Sequence, residues 1–376
     1  MNSTSDVTDP PGGPASFERV LPKEDTTVAV FESHDKTLLT RLQHFLHGHP
    51  TAVPFVVLIL GILVFGALAL LAQSGVSFVA PSSRNFFLPS NLSVVLQQVT
   101  ITAIVGMAQT LVILTAGIDL SVGAMLVLSH VVMGRFAVIY GWPIELAFPL
   151  GLLLGTVCGL INGSLVTYLK LPPFIVTLGT LSIFGALNIY FSKSETIREV
   201  DIQEAAPFLE FMGTAIRFGT ARLIYGSILM LAMAVCFWYV LNRTAFGRHI
   251  HATGDDPDAA RLAGINTDRV LLAVYTIAGF ICAVGGWVMI GRIGAVSPTA
   301  GGTANLDSIT AVVIGGTSLF GGRGSILGTL IGALIVGVFR NGLALAGLSD
   351  LWQDFTVGVL IILAVSIDQW IRRVSA

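Results

Sequence analysis

Long apolar runs, separated by short polar connections, fill the chain from about residue 51 to its end. Each run is close to the roughly 20 residues that a helix needs to cross the hydrocarbon core of a membrane. The pattern predicts ten helices, whose ends are defined to within several residues, at 52–73, 91–116, 119–138, 146–168, 172–192, 223–242, 269–291, 306–319, 325–346 and 352–370. An even number of crossings places both ends of the chain on the same side.

Composition agrees with this pattern. Only 11% of the 376 residues are charged, 54% are hydrophobic and the mean hydropathy is +0.83. An average soluble domain has roughly 25% charged residues, so this chain cannot make a soluble surface. The fold class that follows is an all-α polytopic membrane protein.

Residues 1–50 break the pattern, and we assign them to a cytoplasmic tail that precedes a membrane domain at 51–373. Residues 1–36 have too few apolar side chains to offset the entropy of ordering a chain. Within 37–49 the apolar residues fall at near-helical spacing, which indicates either an interfacial helix or a frayed entry to the first span. No signal peptide precedes the first apolar run, and most Lys and Arg residues collect on the side that a cytoplasmic amino terminus defines.

Asp119 interrupts a long uncharged stretch in the motif LTAGIDLSVG. Gly117 can adopt the left-handed conformation that ends one helix, and Asp119 can accept hydrogen bonds from the amides of Ser121 and Val122 as the N-cap of the next. One interpretation is therefore a helical hairpin with a hinge at Gly117, Asp119 and Ser121. The other is a gate or a proton-carrying carboxylate, since ionisable groups inside membranes are functional candidates.

The predicted span at 306–319 is short, and the Pro/Gly-rich segment VSPTAGGTAN leads into it. Irregular backbone enters a membrane only where protein or water satisfies its hydrogen bonds, so this segment is a candidate lining of a cavity. Five other polar residues have two interpretations: they line a path for a solute, or they cap helices and form hydrogen bonds between helices. These residues are Gln97, Gln98, Asn162, Asn305 and Asp307.

Glycines recur every four residues at Gly151, Gly155, Gly159 and Gly163, and again at Gly328 and Gly332. Small residues at this spacing form a flat ridge that lets two helix backbones approach closely. We therefore predict tight helix packing at both ridges.

The predicted cytoplasmic loop at 243–268 encodes a short capped helix. Asp256 suits the N-cap, Pro257 the first helical position and Gly264 the residue after the last turn. The apolar side chains of Ala259, Leu262 and Ala263 share one face, as a knob that docks into a groove on a partner would. An ordinary capped loop helix explains the same residues.

The motifs LTAGIDLSVGAML, GDDPDAARLAGIN, SPTAGGTANLDSITAVVIGGTSLFGGRGS and LAVSIDQWIRR, in this order, resemble the permease subunits of bacterial monosaccharide ABC importers of the ribose, xylose and fructose group. The resemblance covers about Phe86 to Arg373. The stretches LPPFIVTLG, WYVLNRTAFGR and GRIGAVSPTAG are most similar to the fructose-type permeases.

The resemblance implies a permease fold of the type II ABC importer kind in the bacterial inner membrane. It implies a homodimer, two cytoplasmic ABC ATPase subunits that bind ATP and Mg²⁺, and a periplasmic binding protein that delivers the monosaccharide. The loop helix then corresponds to the coupling helix that contacts the ATPase. By the same resemblance the contact residues are Asp255, Asp256, Ala259, Arg261, Leu262, Gly264 and Ile265.

Two other classes of function predict different residues. An ion-coupled secondary transporter needs ionisable residues near the midplane, whereas Asp119, Asp307 and Asp368 fall at predicted helix ends and no intramembrane Lys/Asp pair is evident. An intramembrane enzyme needs a nucleophile with a base, or a metal-ligand set, and neither is visible. The glycine-rich GGTSLFGGRGS lacks the Lys-Ser/Thr pair of a phosphate loop, so no cofactor is expected on this chain, and no nucleic-acid partner.

Overall fold

The computed structural model describes residues 52–74 and 80–375. The predicted tail at 1–50, with the interfacial helix at 37–49, lies outside the described residues, as does the side chain of Asp368.

The described residues fold into helices joined by short connections. In chain order the α-helices are α1 (Ala52–Gln73), α2 (Pro89–Leu114), α3 (Val122–Gly134), α4 (Ile144–Thr167), α5 (Pro173–Ser192), α6 (Glu199–Ala205), α7 (Tyr225–Arg243), α8 (Ala245–Asp255), α9 (Pro257–Leu262), α10 (Thr267–Ile293), α11 (Ala304–Ile314), α12 (Ile326–Leu345) and α13 (Asp350–Ser375). A π-helical turn, Arg135–Ile139, extends α3, and 3₁₀ turns lie at Pro81–Asn85 and Pro207–Gly213.

Eight helices in the described part of the chain are long and apolar enough to cross a membrane: α1, α2, α3 with its π-helical turn, α4, α5, α7, α10 and α12. The predicted all-α polytopic architecture is confirmed. The predicted count of ten spans is not reached, because α11 has only 11 residues and is about 16 Å long at 1.5 Å per residue. The helix α13 has 26 residues and is not among the eight.

Helices α2, α3 and α10 form the centre of the bundle, and their side chains are mostly buried. The predicted glycine ridge on α4 packs against α10. A Cβ atom on Gly155 would lie 2.7 Å from the Cβ of Ala283, and one on Gly159 would lie 3.0 Å from the Cα of Gly279. Both predicted ridges are confirmed, since Gly328 and Gly332 of α12 meet the backbone of Gly315 and Ala311 in the same way.

An insertion between α5 and α7 forms a folded layer at one end of the bundle. It contains α6, the 3₁₀ turn Pro207–Gly213 and a hairpin of β1 (Ala215–Phe218) and β2 (Ala221–Ile224). The turn packs against the end of α10, where the backbones of Gly213 and Gly291 are in contact. The loop at 243–268 lies at the other end of α7, so these two regions are on opposite sides of the membrane.

Candidate functional site

The segment 296–303 has irregular backbone and packs along α3. Val296 contacts Gly134, Ser297 bonds to His130 and Gly301 approaches Val127, and Asn305, just after the segment, bonds to Gly123. From Gly134 to Val127 the contacts of the segment cover about 10 Å along the helix axis. That the segment enters the membrane stays a prediction. We call residues 296–303 the embedded segment.

Side chains from two helices hold the embedded segment in place. The amide of Ser297 donates to Nε2 of His130 at 3.0 Å, and Nδ1 of the same ring donates to the carbonyl of Gly286 at 3.2 Å. Because Nε2 accepts, the imidazole is neutral, with its proton on Nδ1. From α5, the amide of Asn188 donates to the carbonyl of Pro298 at 2.9 Å. Sequence analysis did not identify His130 or Asn188.

The embedded segment also has an open face. Thr299, Gly302 and Thr303 are exposed in the single chain. Within the described residues, the backbone amides of Gly301, Gly302 and Thr303 have no hydrogen-bond partner. Unsatisfied amides at this depth are not tolerated against lipid, so protein or water must cover this face. A polar face at the start of a broken helix is where transporters place substrates.

An ion pair anchors the first turn of α11, directly after the embedded segment. Nη2 of Arg340 on α12 donates to Oδ1 of Asp307 at 2.7 Å and to Oδ1 of Asp354 on α13 at 2.9 Å. The other oxygen of Asp307 accepts from the hydroxyl of Thr303 at 2.9 Å. Sequence analysis considered only Lys/Asp pairs and did not identify this pair of an arginine with Asp307. Both Asp307 oxygens are occupied, so this carboxylate is an anchor rather than an open ion site.

Asp119 lies in the connector 115–121 between α2 and α3 and is fully buried. Its Oδ1 accepts from the amide of Ser121 at 2.7 Å and from the hydroxyl of Ser121 at 2.6 Å. The predicted bond from the amide of Ser121 is confirmed. Val122 makes no such bond, and Ser121 rather than Asp119 is the N-cap residue.

The left-handed conformation predicted for Gly117 was also wrong, because Ala116 adopts it, with φ of 60°. Gly117 is needed for space instead. A Cβ atom there would lie 2.7 Å from the hydroxyl of Tyr275 on α10.

The predicted loop helix is α9, and its caps form as expected. Oδ1 of Asp256 accepts from the amides of Asp258 and Ala259, both at 3.0 Å, Pro257 begins the helix, and Gly264 follows it with φ of 87°. Ala259, Ala263 and Leu262 are exposed, and Leu262 is 91% exposed. The apolar knob is thus presented to solvent.

Two further contact candidates hold α9 rather than extend the knob. Arg261 bonds to Thr267 and pairs with Asp258 and Asp268, which ties α9 to the start of α10. The amide of Ile265 donates to the carbonyl of Ala260.

The helix α8, which sequence analysis missed, connects the knob to the bundle. Thr244 caps it, and its last turn meets the end of α2 and the loop at 315–325. Nδ1 of His251 contacts the carbonyl of Gly322 at 2.9 Å, and the amide of Gly322 donates to the carbonyl of Leu114 at 3.0 Å. The helix α8 therefore links α9 by direct contacts to the end of α2, one residue before the connector 115–121.

Comparison with known proteins identifies the family of this chain. Residues 91–365 match the family described as the branched-chain amino acid transport system permease component. The chain belongs to this family. It is 55% identical to the fructose import permease protein of Rhizobium meliloti, over 96% of both chains.

Other relatives of this permease are named for other sugars. It is 40% identical to the ribose import permease protein of Bacillus subtilis, over 78% of this chain and 88% of the relative. It is 34% identical to the xylose transport system permease protein of Escherichia coli, over 76% and 86%.

The structure separates the path residues that the sequence grouped. Asn305 and Asp307 adjoin the embedded segment, whereas Nδ2 of Asn162 donates to the hydroxyl of Ser121 at 2.8 Å and belongs to the Asp119 cluster. Gln97 and Gln98 lie on α2, and no hydrogen bond joins them to the embedded segment within the described residues. Their assignment to the path stays a prediction.

An open cavity of about 510 Å³ lies between the folded insertion of the permease and the end of α10. Glu199, Gln203 and Glu210 line it beside the rings of Phe208 and Phe211. Burial raises the pKa of Glu210, and the nearby charge of Glu199 raises it further, against a hydrogen bond from Gln203 that lowers it.

Proposed function

We propose that this permease is the membrane subunit of an ABC importer that carries a monosaccharide, with fructose as the first candidate. The observation that carries the proposal is the 55% identity to a fructose import permease over 96% of both chains. In this proposal two copies form the translocating unit in the bacterial inner membrane, with both termini in the cytoplasm. A periplasmic binding protein supplies the sugar, and separate ATPase subunits bind ATP and Mg²⁺.

The embedded segment supports a sugar path at the centre of such a dimer. Its exposed hydroxyls and free amides are hydrogen-bonding groups suited to a polyol, and they have to be covered by protein or water rather than lipid. A second copy and a water-filled path together provide that cover. Asn305 and Asp307 then shape the path from its wall, because their side chains are already bonded to Gly123 and Arg340.

The exposed knob on α9 supports coupling to an ATPase. A single leucine that is 91% exposed, on a helix fixed by two caps and by an arginine paired with two carboxylates, is suited to insertion into a groove. The contacts of α8 with Gly322 and Leu114 provide a route from that groove to the membrane helices.

We expect Leu262→Glu to abolish co-purification of the ATPase without unfolding the permease. The substitution places a charge at the centre of an apolar contact, and a central hot spot is worth about 2–4 kcal/mol, or 30-fold or more in affinity. The measurement is affinity purification of the tagged chain from native membranes in mild detergent, with mass spectrometry of the proteins that co-elute.

The matched control is Val200→Glu, an apolar to acidic change on α6, at the opposite end of α7, where Val200 is 70% exposed. This variant is expected to retain the ATPase. If neither the parent nor the control retains an ABC-type ATPase under conditions that preserve such complexes, the proposed function is wrong. If Leu262→Glu retains it as well as the parent, the docking role of α9 is wrong.

A further inference from the structure

Asp119 is a buried acidic group that has no role in the proposed function. It is fully buried, and none of the ion pairs of the described residues includes it. An ionised carboxylate without a cation in such a place costs far more than a protonated one, because nothing replaces the water that it loses.

The hydrogen bonds of Asp119 are too few for a carboxylate. Ser121 donates twice to Oδ1, and the side-chain amide of Asn162 lies close enough to interact with the carboxyl, whereas Oδ2 is buried without a partner. An ionised carboxylate has about four acceptor sites to fill. The amide of Gly123, in the first turn of α3, is taken by Asn305 and is not available to Asp119.

Basic residues near the connector 115–121 come from α8 and from the loop at 315–325, where Gly321 meets Ala116. They include His251 and Arg323, but none of them pairs with Asp119 among the described residues. Asn162 of α4 bonds to Ser121, and Thr177 of α5 donates to the carbonyl of Ile118. The titratable groups that face Asp119 are Tyr275 and Cys282 of α10, both of which become negative on ionisation. Neither group can supply a positive charge to Asp119.

We propose that Asp119 is a neutral carboxylic acid in this conformation, so that the connector 115–121 holds a bound proton. The side-chain oxygen of Asn162 and the hydroxyl of Tyr275 are also buried without partners, which leaves acceptors nearby for the acid proton. The acid loses this proton to water only when water reaches Oδ2. Its protonation therefore reports whether the ends of α4, α5 and α10 are closed over the connector.

Infrared difference spectroscopy tests this proposal directly. The full chain in lipid nanodiscs is compared with its Asp119→Asn variant at neutral pH, in H₂O and in D₂O. The parent is expected to show a protonated-carboxyl band that shifts in D₂O and that the variant lacks. The control is Asp354→Asn, which removes a half-exposed carboxylate paired with Arg340 and is expected to change carboxylate bands only.

Two results would overturn the proposal. One is a parent-minus-variant spectrum for Asp119 that contains carboxylate bands alone. The other is failure of Asp119→Asn to fold at neutral pH, because asparagine has the shape and neutrality of the acid. These measurements need neither sugar nor partner proteins, so their outcome is independent of the proposed transport function.

The pH dependence of stability gives a second readout. A carboxyl that is protonated in the folded chain but ionised in the unfolded chain lowers stability as pH rises. The melting temperature of the parent is therefore expected to fall relative to that of Asp119→Asn between mildly acidic and mildly basic pH. A constant difference across this range would contradict the proposal.

Discussion

Replacing Gly159 by leucine is expected to abolish the folded permease. A Cβ atom at this position already meets the carbonyl oxygen of Tyr275 and would lie 3.0 Å from the Cα of Gly279. Both obstacles are backbone, so no side-chain rotation relieves them. Overpacking a core costs about 1–3 kcal/mol when side chains can yield, and we expect at least the upper value where backbones must separate.

Fluorescence-detected size-exclusion chromatography of the tagged chain measures this effect, and we expect at least a tenfold loss of the monodisperse peak. The matched control is Gly179→Leu on α5, where a Cβ atom would meet nothing within 4 Å. The control also gains helix propensity of about 1 kcal/mol. Equal yields of Gly159→Leu and the parent would show that α4 and α10 do not pack at this ridge.

Replacing Arg340 by glutamine is expected to destabilise the fold by about 3–5 kcal/mol, because it leaves the carboxylate of Asp307 without its cation. The side chain of Asp307 is 11% exposed, so water cannot take the place of the arginine. The loss is expected to reach the embedded segment, since Asp307 also holds the hydroxyl of Thr303.

The variant Arg340→Gln/Asp307→Asn separates loss of the pair from loss of either charge. We expect the double variant to recover most of the stability, because it leaves no charge buried alone. Asp354→Asn, at the half-exposed partner, is expected to cost no more than about 1 kcal/mol. Thermal unfolding in detergent measures five proteins: the parent, Arg340→Gln, Asp307→Asn, the double variant and Asp354→Asn. A double variant that is as unstable as the sum of its single variants would contradict a coupled pair.

Local features were predictable from the sequence. Asp256, Pro257 and Gly264 act within one or two turns, so residue type alone determines how they cap α9. The four-residue glycine period predicted tight packing without naming the partner helix. The helix α8 was missed although Thr244, its N-cap, was a visible signal.

Features that depend on distant residues were not predictable. Arg340 and Asp307 are 33 positions apart and on different helices, and nothing in the spacing links them. The hydrogen bonds of His130 could not be predicted, because its two partners lie far away in sequence, on α10 and in the embedded segment. Gly117 shows the same limit. Its neighbour Ala116 takes the left-handed turn, whereas Gly117 lies close to the hydroxyl of Tyr275 on the distant helix α10.

The loop at 243–268, the connector 115–121 and the embedded segment form one connected arrangement. The helix α8 contacts Gly322 and Leu114, and Leu114 leads into the connector. Just beyond the connector, Gly123 bonds to Asn305, which follows the embedded segment. Movement at α9 therefore has a continuous route to the proposed sugar path. We propose that ATP hydrolysis in the partner ATPase drives transport through this route.

Uptake by the purified permease tests that claim most directly. The permease is reconstituted in proteoliposomes with its co-purifying ATPase inside and a sugar-loaded binding protein outside, and radiolabelled fructose is the probe. We expect uptake to require internal ATP and to be insensitive to a protonophore. We also expect Leu262→Glu, but not Val200→Glu, to abolish uptake. Uptake that proceeds without ATP and collapses with the protonophore would contradict the account and establish an ion-coupled transporter.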